Sequence, residues 1–224
     1  MLRFIHDGLW DCDQPMQVYG MHLGHRMTVV RLPDRSLWVH SPVAYSAALA
    51  RELAELGPVT HVVAPNYMHD TFLDGWLPRY PEVRFHAPRS FHKVFPRHKI
   101  TDVLGSVPDA AWADEIEQHV VQGVPRLHEV VFFHRRSRTL IVADLAFNLG
   151  GEMPLLSRVL LKLNGCYGCF SPSRMFKSAI KNRSALGGSI DRILEWDFDR
   201  VIVSHGANLE RDGRTALRDA FAFL

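Results

Sequence analysis

Val130 to Asp144, VVFFHRRSRTLIVAD, decides how the rest of the chain is organised. Two runs of β-forming residues, Glu129 to Phe133 and Thr139 to Ala143, flank His134-Arg135-Arg136-Ser137-Arg138, which predicts a β-hairpin with a basic tip. The second run stops on Asp144. Further on, Arg200 to Ser204 reads as a buried strand that runs into the loop His205-Gly206-Ala207-Asn208. Two apolar runs that end on a carboxylate and an imidazole bring those side chains to one sheet edge if the strands are neighbours, and two imidazoles with a carboxylate, His69 being the second imidazole, suit Zn, Fe or Mn.

Toward the start of the chain, Met27 to Leu32 (MTVVRL), a Pro33-Asp34-Arg35 turn and Ser36 to His40 (SLWVH) predict another hairpin. Ala44 to Leu56 has helical periodicity and closes at Gly57-Pro58, and Thr60 to Ala64 (THVVA) is a short β-rich run. A helix near Asp70 to Arg79, a strand at Val83 to His86, a second helical stretch from around Ser90 and a strand at Gln118 to Gln122 continue the pattern. A helix around Ser189 to Trp196 and a final helix from about Leu209 flank the last strand. This succession predicts one α/β domain over residues 1–224. Asn66 and His69, just past THVVAP, mark a third strand end with polar side chains.

Composition agrees with a folded domain: of the 224 residues 47% are hydrophobic and 22% charged. A formal net charge of +2 is too balanced to make nucleic acid the expected partner. The opening MLRFIHDGLWDCD places charge and histidine where an export signal needs an apolar stretch. Met153 to Leu163 is interrupted by Arg158 and Lys162 and is short of the ~20 residues that cross a bilayer. Cys12, Cys166 and Cys169 are too few and too unevenly spaced for a disulfide framework, so a cytoplasmic location is expected.

Residues 151–186 read as a helical insertion. They hold six basic residues (Arg158, Lys162, Arg174, Lys177, Lys181, Arg183) against Glu152 alone. Leu156, Val159, Leu160 and Leu163 share one helical face, expected to lie against protein, while Arg158 and Lys162 fall off it. A helical cap with a solvated basic face is the plainest reading. A lid that attracts an anionic substrate and a homodimer surface are the alternatives.

The order hairpin, helix, strand, polar loop, strand-rich middle ending in Asp, then strand ending in His-Gly resembles the metallo-β-lactamase superfamily. Val130 to Asp144 is similar to that family's hairpin leading to a metal-bridging Asp, and VIVSHG, Val201 to Gly206, to its last strand with a terminal histidine ligand. The resemblance covers most of the chain and implies a four-layer αββα sandwich with the helical insertion added. The family's H-x-H-x-D-H loop is replaced by Pro65-Asn66-Tyr67-Met68-His69-Asp70. In one register His69 stands for the motif's last histidine, and Ala64, Asn66 and Met68 replace the others. In a second register Asn66 stands for the first histidine, and only Asp70 survives. The first is preferred because it leaves His69, Asp144 and His205 as a coherent single-metal set. The family's third histidine ligand falls nearest Pro125. His128 is displaced from it by about three residues, yet could act as a ligand or general base. Asn66 could donate to an oxyanion or fix its loop, the latter being preferred. Where the family usually has Asp-x-Gly after the first hairpin, His40-Ser41-Pro42 stands.

The resemblance implies a metal-dependent hydrolase in which one divalent metal, zinc for preference and iron or manganese otherwise, activates water against a small-molecule substrate. The alternative is a protein of the same fold that has lost its metal and binds a ligand or partner. Di-iron redox chemistry needs more ligands than are found. Cys166-x-x-Cys169 has metal or redox spacing but no second pair. His22 and His25 (HLGH) are assigned to a surface loop rather than to the site.

Overall fold

The computed structural model describes residues 1–89 and 91–224. In chain order the elements are β1 (Arg3–His6), β2 (Leu9–Gln14), β3 (Gln17–Val18), β4 (Met21–His22), β5 (His25–Arg31), β6 (Leu37–His40), α1 (Ala47–Leu56), β7 (Val59–Val63), α2 (Leu73–Trp76), β8 (Arg84–Pro88), α3 (Phe91–Val94) and β9 (Asp102–Leu104). The second half adds β10 (Ile116–Val120), β11 (Val130–His134), β12 (Thr139–Val142), β13 (Phe147–Asn148), α4 (Leu155–Leu163), β14 (Phe170–Ser171), α5 (Arg174–Ala179), α6 (Arg183–Leu194), β15 (Arg200–Val203) and α7 (Gly213–Ala220).

Two sheets form the centre. The first has seven strands in the order β1-β2-β5-β6-β7-β8-β9, antiparallel as far as β6 and parallel beyond it. The second has four, β10-β11-β12-β15, with the last pair parallel. Side-chain alternation divides the apolar residues of each strand between two faces. Trp38, Val30, Phe132, Ile141 and Ile202 meet in the core between the sheets. Val39, Val29 and Val62 face away from that core and pack with Leu49 and Leu53 of α1. Val131, Phe133, Leu140 and Val203 pack with Leu186, Ile190 and Leu217 of α6 and α7. The result is a helix-sheet-sheet-helix sandwich.

Local chemistry sets the helix ends. The Ser46 hydroxyl accepts from the Leu49 amide at 3.1 Å and starts α1, and the Asn182 side chain accepts from Ala185 at 3.0 Å to start α6. α6 thus begins before the expected Ser189, because buried Leu186 and Ile190 hold it to the second sheet in spite of Gly187 and Gly188. α7 starts at Gly213 rather than near Leu209, since Leu209 bridges to Val201 of β15. Of the helical stretch expected from around Ser90, Ser90 lies outside the described residues and α3 follows it.

The insertion docks differently from the expectation. α4 turns Ser157 and Leu161 inward: the Ser157 hydroxyl accepts from the His22 amide at 2.8 Å, and Leu161 joins Phe147, Leu149 and Cys166. Leu155, Leu156, Val159 and Leu163 are exposed, so the Leu156/Val159/Leu163 stripe does not lie against the rest of the chain. The bond from the His22 amide to the Ser157 hydroxyl sets the docking face, with partly buried Leu160 beside Gly20 in the turn of the β3-β4 hairpin.

One buried polar interlock joins the two sheets. Arg26 of β5 sends Nη1 to the carbonyls of Val203 and Gly206, both at 2.7 Å, and to Asn208 Oδ1 at 2.8 Å. Its Nε lies 3.2 Å from Asp11 Oδ2 and 2.6 Å from Asp13 Oδ1. The Asp11 carboxylate, fully buried, also receives Arg3 at 2.9 Å and Asn208 Nδ2 at 2.8 Å. Among the described residues no helix is long and apolar enough to cross a membrane.

Candidate metal centre

Three strand ends converge on one rim. Asp144 stands just past β12 and His205 just past β15, and the parallel register that sets Val142 opposite Val203 sends both chains out at the same edge. His69 arrives from the first sheet through the loop after β7. The ligand atoms of His69, Asp144 and His205 all lie within 4.8 Å of one another. His69 Nε2 is 3.1 Å from Asp144 Oδ2, and His205 Nε2 is 3.5 Å from Oδ1.

The groups behind these side chains set their chemistry. His205 Nδ1 is 2.7 Å from the Gly24 carbonyl. A carbonyl only accepts, so Nδ1 carries the hydrogen and Nε2 presents a lone pair to the site. The His205 ring stacks on Phe147 at 5.4 Å. Gly206, with φ +99°, then turns the chain where a Cβ would overlap the Asn148 carbonyl. On the other flank His69 Nδ1 is 2.6 Å from the Ser41 hydroxyl, which is 3.1 Å from His25 Nε2. His25 Nε2 donates to the Pro42 carbonyl at 3.1 Å. Burial, reinforced by His69 and His205, holds His25 well below the ordinary imidazole range, so it stays neutral.

Behind Asp144 lies a buried acid. Glu129 Oε1 accepts from the Ala143 amide at 2.8 Å and Oε2 from the Asp144 amide at 2.9 Å. Asn66 bridges the two carboxyl groups, its Nδ2 donating to Asp144 Oδ2 at 2.8 Å and to Glu129 Oε2 at 3.2 Å. Its Oδ1 accepts from the Met68 amide at 2.7 Å and so holds the loop. Burial and the Asp144 charge push the Glu129 carboxyl up to about 7. Burial also raises Asp144, but His69 and His205 together outweigh it and hold Asp144 well below the usual carboxylate range. The pair therefore keeps its charge on Asp144.

This donor set fits a divalent cation. Ligands at ~2.0–2.2 Å on a tetrahedron lie roughly 3.3 Å apart, a spacing that His205 Nε2 and Asp144 Oδ1 approach at 3.5 Å; the 3.1 Å contact of His69 is with the other oxygen, Oδ2, and the three ligand atoms stay within 4.8 Å of one another. Asn66 occupies Oδ2, which leaves Oδ1 as the freer oxygen. Three protein ligands would leave one position open to solvent or substrate.

Asn66, His69, Asp144 and His205 are thus brought together. His128 is not: it sits at φ +52° with Nδ1 3.3 Å from the Pro125 carbonyl and its ring 5.4 Å from that of Tyr67. Of the HLGH pair, His22 stays in the small hairpin, 2.6 Å from Gln17 Nε2, whereas His25 is buried beside His69. The loop assignment therefore fails for His25, because β5 begins there and carries its side chain inward. Buried Cys166 and exposed Cys169 are both free thiols. Sequence reasoning missed Glu129 and the role of Ser41. A lone acid at the mouth of the run VVFF was the available signal for Glu129; for Ser41 there was only its place at the end of β6.

The family model described as a domain of unknown function, DUF4336, matches residues 6–165. The chain belongs to the DUF4336 family. The match includes His69 and Asp144 of this DUF4336 protein and stops short of His205. No curated protein matches the chain. Among solved structures, it is similar to a metallo-β-lactamase from Pontibacter korlensis, with 14% identity, a TM-score of 0.66 and coverage of 99% of this chain and 97% of the other. The mono-zinc form of the metallo-β-lactamase FIM-1 from Pseudomonas aeruginosa gives 11%, 0.64, 100% and 95%. A metal-soaked flavodiiron core from Synechocystis gives 9% and 0.68, covering 100% of this chain and 60% of that one. The DUF4336 chain has the metallo-β-lactamase-like fold, a four-layer α/β sandwich.

Proposed function

We propose that this DUF4336 protein is a metal-dependent hydrolase with one divalent metal held by His69, Asp144 and His205, zinc being preferred. The observation that carries the reading is His205: its Nδ1 is committed to the Gly24 carbonyl, which leaves Nε2 free toward Asp144 within a three-residue group of ligand atoms. A cation there would supply Lewis acidity that makes water a nucleophile near neutral pH. The chain's own residues do the rest. Ser41, backed by His25, fixes the His69 ring; Asn66 donates to the Asp144 carboxylate while Glu129 holds the Asp144 backbone amide, and Phe147 covers one side of His205. Positioning of this kind usually changes metal affinity ~10–100-fold when removed. Asn66 acts here through Asp144, as a positioning residue.

A second reading, a metal-free binding protein, draws support from the same network, because Ser41, His69, Asp144, Asn66 and Glu129 already partner one another. Elemental analysis of protein purified without added metal or chelator separates the two. About one equivalent of metal, lost in Asp144→Ala and in His205→Ala, is expected. Absence of metal after reloading, or its full retention in both variants, would overturn the ligand assignment.

A further inference from the structure

A cleft of about 250 Å³ opens beside Asp144, and its lining has a simple chemistry. Leu127 from the loop between β10 and β11, Phe147 of β13, Phe176 of α5 and Met68 make apolar walls. Phe176 is a firm wall: it is buried, its amide donates to the Ser173 hydroxyl at 3.0 Å, and its ring packs against Phe221 at 6.1 Å. Met68 is exposed and unbranched, so it can adapt to a ligand.

Two charged residues line the cleft, Asp144 and Arg126. Asp144 is engaged by His69, His205 and Asn66. Arg126 is exposed and has neither an ion pair nor a side-chain hydrogen bond among the described residues. A guanidinium without a partner beside apolar walls complements an anion carried on an apolar chain, since Arg binds carboxylates through a planar fork. An aliphatic amine in the same place would meet like charge.

We infer that this cleft takes a medium-length aliphatic chain that ends in a carboxylate, the chain lying on Leu127, Phe147 and Phe176 and the carboxylate on Arg126. At ~30 Å³ for each water-sized unit the volume corresponds to about eight non-hydrogen atoms. The inference rests on the proposed hydrolase for its chemistry: the substrate is an ester or thioester of an ω-carboxyacyl group whose reacting carbonyl lies toward Asp144. The acyl carbon's bond to the leaving oxygen or sulfur breaks. Water supplies the hydroxyl that replaces it and the proton that the leaving atom takes up. The products are a dicarboxylate, the proton released as its new carboxyl group ionises, and an alcohol or thiol.

Binding and turnover test the two layers separately. In calorimetric titrations of chelator-treated protein, hexanoate is expected to bind at least tenfold more tightly than hexanol, and hexylamine more weakly than either. Arg126→Gln should remove the preference for hexanoate and leave hexanol unchanged, and Leu127→Trp should weaken both by filling the cleft. Equal binding of hexanoate and hexanol, or a preference that survives Arg126→Gln, overturns the inference. With metal-loaded protein, mono-p-nitrophenyl adipate should be hydrolysed with a kcat/KM at least tenfold above that of p-nitrophenyl hexanoate, a margin lost in Arg126→Gln. Hexanoate binding through Arg126 in a protein that hydrolyses neither ester would sustain the cleft assignment and overturn the hydrolase reading instead.

Discussion

Replacement of Arg26 by methionine tests whether the buried interlock holds the His205 rim in place. The methionine keeps much of the aliphatic stem and removes every donor, leaving the Val203 and Gly206 carbonyls and Asn208 Oδ1 without their shared Nη1. Hydrogen bonds to charged groups are worth ~1.5–3 kcal/mol each, but three on one nitrogen are not additive. Asp11 keeps Arg3 and Asn208, so its loss falls short of the ~3–5 kcal/mol seen when a buried charge is left wholly unpaired. Together these place the cost at about 4 kcal/mol, a large part of the ~5–15 kcal/mol that holds a domain folded. At about 2–4 °C per kcal/mol for a chain of this size, the melting temperature should fall by about 8–16 °C. Urea unfolding followed by circular dichroism measures the free energy directly. Asp13→Asn is the control, because the Asp13 side chain is 54% exposed and should cost less than about 1 kcal/mol. Arg26→Lys, which restores charge without the fork, should recover less than half of the loss. A change below about 1 kcal/mol in Arg26→Met would refute the interlock as a structural element.

Ser41→Ala removes the group behind His69, and should weaken metal binding about tenfold in a competition titration with little change in fold. Unchanged affinity would mean that Ser41 does not orient the ring. Gly206→Ala forces a Cβ against the Asn148 carbonyl at φ +99°, and should cost about 3 kcal/mol in urea unfolding; a variant as stable as the parent would contradict the turn geometry. Burial lowers His86 and His134 each to about 4, against about 6.5 in the unfolded chain. The unfolded state therefore binds more protons between those values, so stability is complete above about pH 6.5 and is lost as pH falls toward 4, by at most about 3 kcal/mol for each group. His86→Gln and His134→Gln should flatten that slope; slopes identical to the parent's would exclude these histidines as its source. The exposed Leu156, Val159 and Leu163 stripe predicts self-association that Leu156→Glu reduces, read by sedimentation across a hundredfold concentration range; a monomer throughout would leave the stripe without a role in pairing copies of the chain.

The strands were legible because their alternation is strong. MTVVRL, SLWVH, VVFF and TLIVA each divide into two faces, and both sheets use them accordingly. Helix starts were harder, since the Gly187-Gly188 pair suggests a break that tertiary packing of Leu186 and Ile190 overrides. The orientation of α4 could not be derived from its own periodicity, because Ser157 rather than a leucine marks the docking face and its partner is the distant His22 amide. At the site, polar residues at or shortly past the end of a β-run, His69, Asp144 and His205, stood out as punctuation. Residues that act from behind them did not. Glu129, Ser41 and His25 reach the site only through the register of strands far apart in the chain, and that register is written in no single segment.

The three proposed ligands also come from both halves of the sandwich: His69 hangs from the seven-stranded sheet, Asp144 and His205 from the four-stranded one. A cation bound there would fasten the two sheets to each other at the rim opposite no covalent link, for the cysteines are free. By mass action, metal at ~1,000 times its dissociation constant would add about 4 kcal/mol to the stability of the folded chain. Metal availability would then set how long the molecule survives as well as whether it can react, and chelation would be felt as loosening of the whole sandwich.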